Sequence, residues 1–359
     1  MKKELILIFG GRSGEHEVSL RSAASVYNHL DRNRYNITLV GIAKTGIWYV
    51  QDNPENLPDS LKIHCSEERK TAILPMAGFL YKGKVIRADV VFPLIHGTFG
   101  EDGTLQGLLE MSGFPYVGAT VGGSYMGMDK DIAKTIWKSR EIDIVPFFTV
   151  TKEQYKGSEI EKINRDLLNQ YGLPLFVKPS MAGSSVGVSK VVKEEEISAA
   201  IKEALTFDTK AMIEPAINGK EVECSVIGNY ITESFPPGEI APTHEFYDYE
   251  AKYIDPDGAG LIIPAEIEEA QSQKLRVIAE KAYSALGLRG FARVDFFIEE
   301  KSDRILLNEV NTIPGFTNIS MFSKMCEVGG LPYSKLLDRL VTLAEEQFAE
   351  RSAIKFTYE

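Results

Sequence analysis

Apolar residues recur along the chain in runs whose length and period separate strands from helices. The run LILIF at 5–9 is continuous, the pattern of a strand buried on both faces. Gly10 and Gly11 end it in a turn, and helical spacing follows from about Glu17 to Leu30. Further strands are expected at Asn36–Ala43 and Ala88–Ile95, the second running into His96-Gly97. Strand, glycine turn, helix and strand in that order mean α/β architecture around a parallel sheet. Chemistry in such sheets gathers at the carboxyl ends of the strands, where Gly10–Gly14 and His96–Gly103 fall.

From near Gly118 the pattern changes. A helix carries Met128-Asp129-Lys130; a strand over Leu175–Lys178, a glycine-serine loop over Ala182–Gly187 and strands over Val188–Val192 and Ala211–Glu214 follow. Pro215 then suggests a hinge. The last third reads as a strand (Glu221–Ile227), a long loop (Phe246–Pro264), an amphipathic helix (Ile267–Leu286), a hairpin (Phe291–Val310) and a terminal helix (Tyr333–Phe348). There is no internal repeat and no low-complexity tract.

Composition narrows the function classes. The 359 residues, at about 100–200 per domain, predict two or three domains. Hydrophobic residues at 44% with charged residues at 25% exclude a disordered or collagen-like chain. A net charge of −11 argues against sequence-independent nucleic-acid binding, which needs Lys and Arg against phosphate. Cys65, Cys224 and Cys326 are too few and too scattered for a disulfide framework or a zinc cage, and read as buried reduced thiols. No apolar run reaches the length of a signal peptide or a spanning helix, so a cytoplasmic protein is expected.

The strongest chemical signal is FARVDFFIEEKSDRILLNEVN at 291–311. Alternation puts Arg293, Asp295 and Phe297 on one face of the first strand, and Leu307, Glu309 and Asn311 on one face of the second. With the turn near Ser302, Asp295 lies opposite Glu309 and Arg293 opposite Asn311. Two carboxylates and an amide oxygen then converge, and they repel unless a cation sits between them. Hard oxygen donors with room for phosphates suit Mg²⁺. A solvated charged face is the plain alternative, but isolated carboxylates on otherwise apolar strands are expensive.

LPLFVKPSMAGSSVGV at 173–188 puts Lys178 at a strand end before a loop containing Gly183, Ser184, Ser185 and Val186. Glycines let backbone N–H groups approach phosphate, serines add donors, and lysine adds a point charge. This is not a Walker A sequence, and such a loop is often only a hairpin. Glu221 and Glu223 alternate with apolar residues and face one side together. Glu214 could accept from an adenine amino group. In GGRSGEHEVS, Glu17 stabilises a helix start, while Glu15 lies nearer the turn and could bind a substrate ammonium. HGTFGEDGTLQG at 96–107 is overbuilt for a plain turn. The aromatic-rich loop 246–264 reads as a lid.

Together these segments resemble the D-alanine–D-alanine ligases of the ATP-grasp superfamily, over nearly the whole chain. GGRSGEHEVS, HGTFGEDGTLQG, KPSMAGSSVGVSK, FYDYEAKY, RGFARVDFF and LLNEVNTIPGFTNIS carry the likeness. The resemblance implies a three-domain ATP-grasp fold, α/β with α+β character in the ATP-binding half: residues 1–118 for substrate, 119–215 as a central ATP-grasp domain, and 216–359 with the lid and the metal hairpin. It implies that Lys130, Lys178 and the 183–187 loop hold ATP phosphates. Glu214, Ala216, Ile217, Glu221, Asn308 and Glu309 would contact the nucleotide, with Pro215 standing where the family pattern carries lysine. Asp295, Glu309 and Asn311 would hold two Mg²⁺, with Mn²⁺ able to substitute. Glu15 would bind the first D-alanine in a hydrogen-bonded set with Ser184 and Tyr253, near His96. Arg293 and the Gly315 N–H would form the oxyanion site, and Lys252, Ser320 and Met321 would grip the second D-alanine or the transferred phosphate. The implied reaction joins two D-alanines through an acyl phosphate for peptidoglycan, in a cytoplasmic homodimer. The rival readings are a related D-alanine–D-serine or D-alanine–D-lactate ligase, a dinucleotide oxidoreductase, which lacks the glycine fingerprint, and a non-catalytic binding module.

Overall fold

The computed structural model describes residues 2–55, 58–157, 159–242 and 259–358; Lys252, Tyr253 and most of loop 246–264 lie outside them. The first layer contains β1 (Lys3–Gly10), α1 (His16–His29), β2 (Tyr35–Ile42), β3 (Trp48–Val50), a small antiparallel sheet of β4 (Ala72–Leu74), β5 (Gly78–Tyr81) and β6 (Lys84–Ile86), then β7 (Val90–Leu94) and α2 (Thr104–Met111). Its main sheet runs β3-β2-β1-β7, with β1 parallel to both β2 and β7. Leu5 to Phe9 are completely buried, as a continuous apolar run requires of a central parallel strand. The β4–β6 sheet was not legible in the sequence, because its strands are only three or four residues long, too short to show a period.

The expected helix around Met128 is two helices, α3 (Val121–Met128) and α4 (Lys130–Ser139). Asp129 breaks it: its backbone is extended and its carboxylate caps α4, accepting from the N–H groups of Asp131 and Ile132. The second sheet comprises β8 (Phe148–Thr151), β9 (Leu175–Pro179), β10 (Ser189–Val191) and β11 (Lys210–Pro215), ordered β10-β9-β11-β8 and antiparallel. Helices α5 (Glu159–Tyr171) and α6 (Ile197–Phe207) complete this part. Pro215 is the last residue of β11, in register with Leu175.

The third sheet holds β12 (Gly219–Gly228), β13 (Thr232–Ser234), β14 (Gly238–Pro242), β15 (Ala259–Ile262), β16 (Phe291–Glu299) and β17 (Ile305–Asn311). Its order is β15-β14-β12-β16-β17, with β13 also on β12. Helix α7 (Glu269–Ala285) packs on it, burying Leu275, Ala279 and Tyr283, and α8 (Met321–Val328) and α9 (Tyr333–Ser352) follow. Helix α9 returns to the first layer, where Leu337 and Leu340 share one core with Leu7, Phe92 and Phe316. Asp338 takes hydrogen bonds from Arg34 at 2.6 Å and Tyr35 at 3.1 Å. Among the described residues no helix is long and apolar enough to cross a membrane. Cys224 and Cys326 are buried, but Cys65 is exposed, contrary to the expectation of three buried thiols, because it lies outside any regular element.

Candidate active site

A cleft of about 1060 Å³ opens where the three sheets meet. From the first layer it receives Glu15, at the amino end of α1, and His96, just beyond β7. Glu15 is nearly buried, and the Ser184 hydroxyl donates to its Oε1 across 169 residues of sequence. Two glycines make room for that carboxylate. A Cβ on Gly97, whose φ is +72°, would collide with Glu15 Oε2, and one on Gly183 would lie 2.9 Å from it. His96 is buried with both ring nitrogens engaged: Nδ1 is 2.7 Å from the Ile313 carbonyl and Nε2 is 2.9 Å from Ser22 Oγ. Burial pushes its pKa down, but the Glu101 and Glu15 carboxylates and the Ile313 carbonyl together outweigh that, and the net direction is up.

The glycine-serine loop forms one wall. Ser184 and Ser185 both have positive φ, which turns the loop over the cleft. Gly183, Ser184 and Ser185 face it, whereas Val186 lines a smaller neighbouring pocket with Arg12 and Lys44. Lys130 reaches the same region, donating to the Ala182 carbonyl at 2.9 Å and lying 3.3 Å from Glu309 Oε2. Its backbone is fixed by Asp129, which accepts from Ser180 Oγ at 2.7 Å and binds Lys210.

Lys178 on β9 and Glu214 on β11 form a buried pair at 2.6 Å. The other Glu214 oxygen is 2.6 Å from Lys134, whose side chain is fully buried and also donates to the Val145 carbonyl. Burial lowers the Lys134 pKa to about 8 despite Glu214. Burial would raise Glu214 and lower Lys178; the charges of Lys134 and Lys178 outweigh it at Glu214, which moves down, and those of Glu214, Glu309 and Glu221 outweigh it at Lys178, which moves up. The Glu214 carboxylate thus holds one lysine on each oxygen and also lines the cleft, with lone pairs left to accept a further donor. Lys134 was missed in the sequence; its signal was the spacing of Lys130 and Lys134, one turn apart on a helix whose inner face holds Ala133 and Trp137.

The hairpin has the register expected: Asp295 opposite Glu309 and Arg293 opposite Asn311. Alternation fails at one place. A bulge between Asp295 and Phe296 leaves Asn308 as the extra residue, so Leu307 turns into the core and Asn308 joins Glu309 in the cleft. Asn308 Oδ1 is buried and has no hydrogen-bond partner among the described residues. Asp295 is 3% exposed and does not line the cleft. Arg293 grips it with a fork, Nε to Oδ1 and Nη2 to Oδ2 at 2.8 Å each, and Asn311 Nδ2 donates to Oδ2 at 2.8 Å. Each carboxylate has its own cation beside it, Arg293 at Asp295 and Lys130 at Glu309. Glu223 also belongs here: it lies opposite Asp295 on β12, 3.0 Å from Arg293 Nε, and the alternation of Glu221 with Glu223 was its signal.

Glu221 and Ile217 line the cleft beside β12, whereas Ala216 is not among its lining residues. Gly315, Ser320 and Met321 close the far end. Ser320 Oγ accepts from the Thr317 N–H at 3.0 Å, and Met321 begins α8. Among the described residues no three His, Cys, Asp or Glu side chains form a metal cage.

The family model for the D-ala D-ala ligase N-terminus matches residues 4–119, and that for the D-ala D-ala ligase C-terminus matches residues 136–342. The chain belongs to the D-alanine–D-alanine ligase family. Its relatives include a D-alanine–D-alanine ligase of Treponema denticola, 44% identical over 98% of each chain, and ligase A of Escherichia coli, 41% identical over 98% of each. Among solved structures, the D-alanine–D-alanine ligase of Coxiella burnetii superposes with a TM-score of 0.86 at 36% identity, covering 98% of this chain and 96% of that one. The VanG D-Ala:D-Ser ligase of Enterococcus faecalis gives 0.83 at 34% identity, covering 96% and 100%. The cleft brings Glu15 together with Lys130, Lys178 and the 183–185 loop.

Proposed function

We propose that this ligase uses ATP to join two D-alanines through an acyl phosphate, giving D-alanyl-D-alanine, ADP and phosphate for peptidoglycan synthesis. The observation that carries the reading is the Glu15–Ser184 contact, which brings the carboxylate that would bind an ammonium against the loop that would hold phosphate. An amino acid held by Glu15 would turn its own carboxylate toward the γ-phosphate, as an in-line transfer needs. Lys130 and Lys178 would neutralise phosphate oxygens. The carbonyl of the acyl phosphate would then meet the amine of the second D-alanine near Gly315, Ser320 and Met321. Arg293 and the Gly315 N–H would carry the oxyanion. Lys252 and Tyr253, which lie outside the described residues, belong to this reading through the sequence alone.

The donors suit Mg²⁺, or Mn²⁺ in its place: Asp295 and Glu309 opposite each other, Asn311 beside them, and the orphaned Asn308 oxygen. Bound there, the ion would supply charge neutralisation on the phosphates. Residues 1–118, 119–215 and 216–359 serve in this reading as substrate, central and carboxyl-terminal units of a cytoplasmic homodimer, which sedimentation would test. The decisive assay is ADP release. It should require both a D-amino acid and Mg²⁺, and with D-alanine, D-serine and D-lactate competing, D-alanyl-D-alanine should dominate. ADP release indifferent to D-amino acids would overturn the reaction; a dominant ester or D-serine product would overturn the specificity.

A further inference from the structure

Three carboxylates lie at one level across three neighbouring strands: Glu223 on β12 opposite Asp295 on β16, and Asp295 opposite Glu309 on β17. Arg293 sits one step along the same face, opposite Ser225 and Asn311. Its guanidinium has two carboxylates in reach. Both hydrogen bonds of the fork go to Asp295 at 2.8 Å, and Glu223 Oε2 stands 3.0 Å from Nε as an ion partner. Glu223 is 3% exposed, so its charge needs a cation close by. Asp295 is thus shared by two cationic claims, the guanidinium that holds it here and the divalent ion of the proposed function, on which this inference rests.

We propose that Glu223 is a positioning residue that gives Arg293 a second seat. When the divalent ion takes the Asp295 oxygens, the fork opens, and Glu223, on the side away from Glu309, retains the guanidinium beside the cleft. Arg293 is then free to donate to an oxyanion while still anchored. Without Glu223 the side chain released from Asp295 would lose this second ionic anchor and regain rotamer freedom. Metal occupancy and Arg293 release are in this way one event.

The test is Mn²⁺ binding to the full-length protein, read from the free-ion EPR signal without substrates. Glu223→Asp keeps the negative charge but withdraws the carboxylate by one methylene. It should weaken Mn²⁺ binding about fivefold, a typical coupling between neighbouring groups, and Glu223→Gln should weaken it at least as much. Arg293→Met should tighten binding, and adding Glu223→Asp to it should then change little. Should the glutamine variant not fold, the aspartate variant decides alone. Wild-type-like binding by Glu223→Asp, or equal losses with and without Arg293, would overturn the second seat while leaving the metal site standing. No Mn²⁺ binding by the wild type would overturn both.

Discussion

At the scale of single residues, the chemistry was readable but the partners were not. Lys178 and Glu214 were singled out as isolated ligand groups, yet they form one buried array with Lys134. Removing the shared anion would leave two ammonium groups facing each other. Glu214→Gln should therefore cost about 3–5 kcal/mol of stability, seen as a lowered urea midpoint with unchanged slope. Lys134 also sets a pH dependence. Its pKa falls to about 8 on folding from 10.5, so between these values the unfolded chain binds the extra proton and stability rises with pH. The wild type should gain roughly 2 kcal/mol over Lys134→Met between pH 8 and 10; a constant difference across that window would contradict the burial argument. Glu309→Ala should abolish ligation while shifting stability by less than about 1 kcal/mol. The reason is not relief of carboxylate repulsion, since Lys130 already faces Glu309 and keeps its bond to the Ala182 carbonyl.

At the scale of elements, local pattern located the long buried strands and the helices α1, α7 and α9, but not the short strands β3–β6, β8 and β13–β15, the helices α2, α5, α6 and α8, or the places where backbone geometry departs from period. The hairpin register followed from alternation and a turn near Ser302, whereas the Asn308 bulge did not, because one extra residue leaves composition unchanged. The split at Asp129 was a capping event that the apolar pattern of the two helices concealed. The turns around Glu15 are tight enough to test. Gly97→Ala places a methyl group against Glu15 in a left-handed conformation. It should raise KM for D-alanine about tenfold or more while leaving KM for ATP nearly unchanged. A parallel rise in both would show that Glu15 serves the phosphate loop and not the amino acid.

At the scale of the whole molecule, the amino-terminal layer is completed by the other end of the chain. Helix α9 covers it through Leu337 and Leu340, and Asp338 holds Arg34 and Tyr35. A fragment of residues 1–118 should therefore retain helical far-UV signal but lack a sharp near-UV spectrum and a cooperative melt; native-like unfolding by that fragment would show the layer to be autonomous. What the sequence by itself determined was the long buried strands, the helices α1, α7 and α9, the three groups of reactive side chains and the pairing within the hairpin. These depend on side-chain period and turn chemistry, both local. What only the tertiary structure decided was which groups meet: Ser184 with Glu15, Lys134 with Glu214, Glu223 with Arg293. Those contacts span from 70 to 169 positions and arise where three separately patterned sheets converge, a geometry that burial of their apolar faces imposes and that no local spacing encodes.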